Sequence, residues 1–240
     1  MARQSLLLTA FYRQIDDMIG GMGTRVKPHH AASTATPLII AALLITLFLL
    51  IANAISAAGT VVAFDNQAEI WLLAGMTPTW AVIFSIITET GSEIFVIILA
   101  VSLGLIFLRE KKYPLVARLF LAAGGGGILD LTLKAIYRRP RPDFPNVWVH
   151  PADFSFPSGH SMMSIILYGL MAGILLHQLR PGWRHILVVF LTSLVILTIG
   201  FSRLVLGAHF PSDILAGWAM GGAWLLLSWT ITAQIIPPSA

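Results

Sequence analysis

His209 and Asp213 stand four residues apart, with Pro211 and Ser212 between them. Proline and aspartate both suit the first turn of a helix. A carboxylate one turn on could accept the Nδ1 proton of His209 and leave Nε2 with a free lone pair. An imidazole whose tautomer is fixed in that way is a competent nucleophile. Taken alone, the same residues also describe a histidine in an interfacial turn beside a helix-capping aspartate.

Two further clusters extend the chemistry. In Pro157-Ser158-Gly159-His160 the serine is a good N-cap, the glycine permits close backbone approach, and the first amides of the following helix are unpaired donors that suit an anion. His160 beside them could protonate a departing oxygen and later take a proton from water. Lys134, Arg141 and Arg203 supply positive charge, and phosphoryl transfer asks a protein mainly for positioning and for neutralisation of the equatorial oxygens. Their plainer reading is snorkelling toward lipid headgroups, which is the account expected for Arg138 and Arg139.

These residues must be gathered by a membrane domain. The 240 residues are 57% hydrophobic and 11% charged, whereas soluble domains run about 25% charged. A spanning helix needs roughly 20 mainly apolar residues, and six such runs are predicted at 37–58, 80–108, 114–137, 159–179, 185–202 and 212–236. The expected fold class is therefore all-α, an integral membrane bundle of six spans over residues 37–240, preceded by an N-terminal segment, 1–36. In that segment Leu8, Phe11, Tyr12, Ile15, Met18 and Ile19 recur at helical spacing, which suits either a short interfacial helix or a frayed tail. Cysteine is absent, which removes disulfide and thiolate chemistry. No basic face interleaved with aromatics occurs, so nucleic acid is not an expected partner. No metal-ligand spacing occurs either, and neither metal nor cofactor is expected.

Lysine and arginine concentrate on the cytoplasmic side of spans. With the N-terminus inside, most of the fifteen Lys and Arg fall on that side, and both termini are cytoplasmic. Lys134, Arg138, Arg139, Arg141 and Arg203 fall at the opposite ends, against the rule, which places the site at the outer interface of a plasma membrane. The stretch 61–79 has no Lys or Arg and holds Asp65 and Glu69, as an outer loop with a short surface helix. The stretch 138–157 is broken by prolines, and its Phe144, Trp148, Phe154 and Phe156 suit the headgroup level.

Other polar residues fall within the predicted spans. Glu89 and Glu93 sit four apart on the second helix, and Asp130 sits one turn before Lys134. An intramembrane carboxylate is a candidate functional group. Either Asp130 and Glu89 orient Lys134 from behind, or one or both are protonated and satisfied by neighbouring helices. The run Gly124–Gly127, and Gly217 with Gly221, suit close helix contact.

Together the clusters follow a pattern: Lys134, then Arg141-Pro142; Pro157-Ser158-Gly159-His160; Ser202-Arg203, then His209 and Asp213. This resembles the type 2 phosphatidic acid phosphatase superfamily at every motif position, and the six-span plan extends the resemblance over about residues 37–236. The resemblance implies that His209 attacks phosphorus to form a phosphohistidine, that Asp213 orients it, and that His160 protonates the leaving oxygen. It also implies that Lys134, Arg141, Ser158, Gly159 and Arg203 hold the phosphate. The same family plan includes soluble vanadium haloperoxidases, but six spans argue for a lipid phosphate: phosphatidylglycerol phosphate, phosphatidic acid or a polyprenyl diphosphate such as undecaprenyl diphosphate. A phosphotransferase using the same phosphohistidine would carry the same residues. A transporter is suggested only by Glu89, Glu93 and Asp130.

Overall fold

The computed structural model describes residues 34–57, 59–145 and 147–235, and the expected interfacial helix before residue 30 lies outside them. The described residues form helices joined by irregular segments. In chain order these are α1 (Ala35–Ser56), α2 (Thr60–Ala74), α3 (Pro78–Glu89), α4 (Glu93–Arg109) and α5 (Tyr113–Leu119). A π-helical turn, Phe120–Gly124, leads directly into α6 (Gly125–Tyr137), followed by α7 (Gly159–Gln178), α8 (Trp183–Val205) and α9 (Pro211–Ile235).

Six helical stretches are long and apolar enough to cross a membrane: 35–56, 78–109, 113–137, 159–178, 183–205 and 211–235. Their ends fall within three residues of the sequence expectation, because the apolar runs are bounded by strong punctuation. Thr77 and Pro78 open α3, with the threonine hydroxyl accepting from Trp80 N–H at 3.4 Å. Pro114 and Pro211 stand in the first turns of α5 and α9. Large apolar side chains such as Leu43, Phe120 and Ile186 face outward, as a lipid-solvated bundle requires.

The second span is not continuous. α3 stops at Glu89 and α4 restarts at Glu93, with Ser92 capping the new helix by accepting from Phe95 N–H at 3.2 Å. Glu89 and Glu93 are therefore not neighbours on one helix, as expected, but flank a break. Tyr168 Oη donates to the freed Thr90 carbonyl at 2.8 Å, and a Cβ on Gly91 would meet Ile199 Cγ2 at 2.6 Å and His160 Cδ2 at 3.5 Å. The interruption lets backbone come close to the start of α7.

The last span is the hub, packed chiefly on α1 and α7. Gly217 and Gly221 make this possible: a Cβ on Gly217 would lie 2.6 Å from the Ser158 carbonyl oxygen, and one on Gly221 would lie 2.6 Å from that of Met162. The glycine run behaves differently along its length. Gly125 and Gly126 abut Trp224 and Ile166, whereas a Cβ on Gly124 or Gly127 would meet nothing within 4 Å.

The stretch 138–157 is held down at its end by Phe156, which is 1% exposed and stacks on Phe48 with ring centroids 5.4 Å apart and against Tyr137 at 5.0 Å. Expected at headgroup level, Phe156 instead anchors the segment in the core between α1 and α6, because burying an aromatic side chain stabilises by roughly 1.5–3 kcal/mol. Trp148 and Phe154 remain at the surface.

Gly217→Ala is expected to push α7 from α9 and cost about 1–3 kcal/mol, lowering both the thermal midpoint in detergent and any turnover that depends on Ser158. Gly127→Ala is expected to leave the midpoint unchanged in the same melts.

Candidate active site

The clusters read from the sequence meet at one end of the bundle. Lys134 arrives at the end of α6. Its Nζ lies 3.2 Å from Asp130 Oδ2, one turn back, and 2.6 Å from Asp153 Oδ2. Ser158 caps α7, and Gly159 places that helix start against the lysine: a Cβ there would lie 2.9 Å from Asp130 Oδ2 and 3.3 Å from Lys134 Nζ. A larger residue would push α7 away from the cation, which is the close approach expected of the glycine.

Arg203, in the last turn of α8, is buried; its Nη1 donates to Thr88 Oγ1 at 3.1 Å and its Nε has no partner among the described residues. Glu89 ends α3 one residue after the Thr88 that accepts from this arginine, and Glu93 opens α4. Of the expected pair behind Lys134, Asp130 stands 3.2 Å from its Nζ, whereas Glu89 makes no ion pair with it among the described residues.

His209 lies in the short link between α8 and α9 and is 1% exposed. Its Nδ1 is 2.8 Å from the Ser155 carbonyl oxygen, its Nε2 is 3.1 Å from Arg141 Nη1, and Asp213 Oδ2 stands 3.6 Å from Nδ1. A carbonyl can only accept and a guanidinium can only donate. The proton is therefore on Nδ1 and the lone pair on Nε2, as the sequence suggested. The agent differs, however: the acceptor is the Ser155 carbonyl and not Asp213. Asp213 Oδ2 is engaged by Phe210 N–H at 2.9 Å, and its Oδ1 accepts from Arg139 Nη1 at 2.6 Å. Capping its own helix and pairing with Arg139 keep the aspartate short of the imidazole.

Burial, and then the charges of Arg141, Arg203, Lys134 and His160, push the His209 imidazole well below its ordinary pKa. A neutral His209 agrees with the donor that Arg141 places at Nε2. Arg141 also donates to the carbonyls of Ala208 at 2.6 Å and Asp153 at 2.9 Å, which ties the irregular segment to the α8–α9 link. Trp148 N–H donates to the Leu206 carbonyl at 3.1 Å, and Gly207, at φ 72°, turns the chain where any Cβ would strike Val147.

Arg139 is not the snorkelling side chain expected of it. It is 8% exposed, donates to Ser212 Oγ at 2.8 Å, to Asp213 and to Asp65 Oδ2 at 2.7 Å, and lies over the Phe210 ring. Arg138 does stay outside, as the left-handed cap of α6. Asp65 is fully buried, accepting also from the amide and hydroxyl of Ser212, so α2 buries the acidic face expected at the surface. Glu69, one turn on, is equally buried with neither carboxyl oxygen bonded among the described residues. Burial first, then Asp213 and Asp65, raise its pKa to about 8.

A family model described as the PAP2 superfamily matches residues 115–237, which include Lys134, Arg141, Ser158 to His160, Arg203, His209 and Asp213. The chain belongs to the PAP2 superfamily. This PAP2 protein is 36% identical over 138 residues to the phosphatidylglycerophosphatase B of Bacillus subtilis, covering 56% of this chain and 66% of that one. It is 35% identical over 127 residues to a lipid A 1-phosphatase of Rhizobium etli, covering 49% and 50%. The crystal structure of the transmembrane PAP2-type phosphatidylglycerolphosphate phosphatase from Bacillus subtilis superposes with a TM-score of 0.74 at 29% identity, over 83% of this chain and 98% of the other. The chain spans between half and 66% of the length of these curated relatives.

Beside the polar centre of this PAP2 protein runs an apolar groove of about 610 Å³ between α4 and the α5–α6 stretch. Glu93, Asp130 and Gly159 stand at its polar end, and Leu108 and Val116 at the other. Gly124 and Gly127 line it, which accounts for the open space found beside them.

Sequence reasoning missed Ser155, Asp153 and the role of Arg139. For Ser155 no signal existed, since a backbone carbonyl acts irrespective of side chain. For Arg139 one did: Asp65 and Glu69 lie one helical turn apart in a stretch without Lys or Arg, so a cation from elsewhere had to reach them if that face was buried.

Arg139→Gln should destabilise the protein by about 3–5 kcal/mol, because it leaves Asp65 and Asp213 buried without their countercharge; thermal unfolding in detergent measures it. For Glu69 the native pKa is raised from 4.5 to about 8, so its contribution to stability is full below the unfolded value and is lost as pH rises between the two. Glu69→Gln is accordingly expected to raise the thermal midpoint at pH 8 more than at pH 5.

Proposed function

We propose that this protein is a membrane lipid phosphatase that works through a phosphohistidine. The observation that carries the reading is the clamp on His209, a carbonyl at Nδ1 and a guanidinium at Nε2, which leaves the lone pair on Nε2 facing Arg141. Phosphoryl transfer is largely a matter of such positioning and charge neutralisation.

In the first step Nε2 of His209 attacks phosphorus, and the bond from phosphorus to the lipid oxygen breaks. His160, at the start of α7, protonated once the phosphate dianion lies beside it, gives that oxygen its proton and is left as the neutral imidazole. Lys134, Arg141, Arg203 and the amides beside Ser158 and Gly159 hold the equatorial oxygens. As the imidazole becomes cationic, Ser155 keeps its Nδ1 proton and Asp213, 3.6 Å away, supplies countercharge. In the second step His160 takes a proton from water, whose oxygen attacks phosphorus, and the bond to Nε2 breaks to release orthophosphate. The cycle uses protein groups alone.

The apolar groove supports a lipid substrate. It starts beside Gly159 and runs, counted from Asp130 to Val116, for about 20 Å at 1.5 Å per residue, enough for an acyl or prenyl tail while the phosphate sits at the polar end. The relatives' names favour phosphatidylglycerol phosphate, with phosphatidic acid and undecaprenyl diphosphate as further candidates of the same chemistry. The lysine and arginine distribution supports cytoplasmic termini and a site on the outer face of the plasma membrane.

A phosphate-release panel over lipid mono- and diphosphates in detergent tests the reading. His209→Ala should lower turnover by about 10⁴-fold or more. His160→Gln should lower it by about 10²–10⁴-fold for lipid substrates but much less for p-nitrophenyl phosphate, whose leaving group needs no proton. Turnover should persist in chelator. Phosphate release that survives His209→Ala would end this mechanism, and transfer of the phosphate to another lipid or sugar with no orthophosphate released would make the protein a phosphotransferase.

A further inference from the structure

Asp153 stands on the donors that a phosphate would need. Its Oδ2 lies 2.6 Å from Lys134 Nζ, its Oδ1 lies 2.5 Å from Arg141 Nη2, and its own carbonyl accepts from Arg141 Nε. Carboxylate and phosphate are bound by the same charge-assisted donors, and the arginine fork fits either. Arg141 meanwhile spends Nη1 on the Ala208 carbonyl and on Nε2 of His209. One carboxylate therefore occupies both cations and, through Arg141, keeps the cap on the nucleophilic lone pair.

The members of this arrangement are not equally fixed. The side chains of Lys134 and Arg141 are 8% and 12% exposed, whereas that of Asp153 is 47% exposed and belongs to a segment without regular structure. Lys134 is held by its helix and by Asp130, and Arg141 by two carbonyls besides that of Asp153 itself. The aspartate is the rim group, and a turn about its side-chain bonds is enough to take its carboxylate into water. Partial burial opposes its charge, but hydrogen bonds and charge from Lys134 and then Arg141 hold its pKa below the ordinary value, so it is an anion at neutral pH.

We propose that Asp153 is an internal stand-in for phosphate and sets which headgroups the site accepts: its carboxylate fills the cradle between turnovers, yields to a dianionic terminal phosphoryl group, and returns as orthophosphate leaves. A phosphodiester carries one charge and two free oxygens, no more than the carboxylate already offers, so it gains nothing by exchange. Such a site ignores the diester lipids that surround it and admits a monoester or a terminal diphosphate. The inference rests on the phosphatase reading above and names a selectivity residue for the same site.

The test uses the full-length protein in detergent, with Asp153→Asn as the isosteric variant and Asp153→Ala as a second in case the amide still bridges. Orthophosphate affinity is measured by calorimetry, and inhibition of lipid-phosphate turnover is measured with phosphatidylglycerol, a diester. Both variants should bind orthophosphate about tenfold tighter or more, the energetic equivalent of one lost charge-assisted contact. Both should also be inhibited by diester lipid at concentrations that leave the parent protein unaffected, with KM and kcat falling together as release slows. Unchanged or weaker orthophosphate binding in both variants would overturn the proposal and leave Asp153 as a brace for the cations. Arg141→Ala separates the two levels: if orthophosphate binds it as well as it binds the parent, the cradle reading itself is wrong.

Discussion

A guanidinium without water must be surrounded by acceptors, and Arg139 finds them on two other elements, Asp65 of α2 and Asp213 with Ser212 at the head of α9. It can reach them because Arg138 ends α6 in a left-handed turn that redirects the chain inward. This contact ties the head of the last span to α2, and the link before that span holds His209. Asp213 then has one oxygen for Arg139 and one for the Phe210 amide. The imidazole is left to seek its acceptor on the irregular segment, at Ser155. Removing either charge of such a buried pair is costly, whereas an intact pair with its bonds complete is tolerated.

The spans were legible because lipid imposes one rule on all of them, an apolar stretch of sufficient length with every backbone bond satisfied internally. The break at Thr90–Ser92 carried a weak signal, the Gly91-Ser92 pair with Ser92 as a possible N-cap, but the apolar run continues on both sides and conceals it. Its cause lies in tertiary contact: Gly91 packs against Ile199 and the ring of His160, and Tyr168 takes up the Thr90 carbonyl.

At the polar end, the residues proposed to carry the chemistry could be named from type and spacing: His209, His160, Lys134, Arg141 and Arg203. Their helpers could not. The acceptor for His209 is a backbone carbonyl, which leaves no mark in the sequence. Asp153 reads as one more loop acid until its two cations are seen on either side of it. Arg139 and Arg141 are two residues apart in the chain and alike in type, yet one is buried as an internal tie and the other reaches Nε2 of His209. Only the fold of the segment between them and Phe156 decides which does which.

The apolar groove and the half-exposed Asp153 lie at different sides of one small centre, so the site borders two immiscible media. Whatever leaves along α4 and α5 dissolves in hydrocarbon, and whatever leaves past Asp153 dissolves in water. For a reaction that splits an amphiphile, the fragments would part into separate phases within a molecular length of where they formed. Re-encounter would then require both to return to the same boundary at once, which would slow recombination at the site.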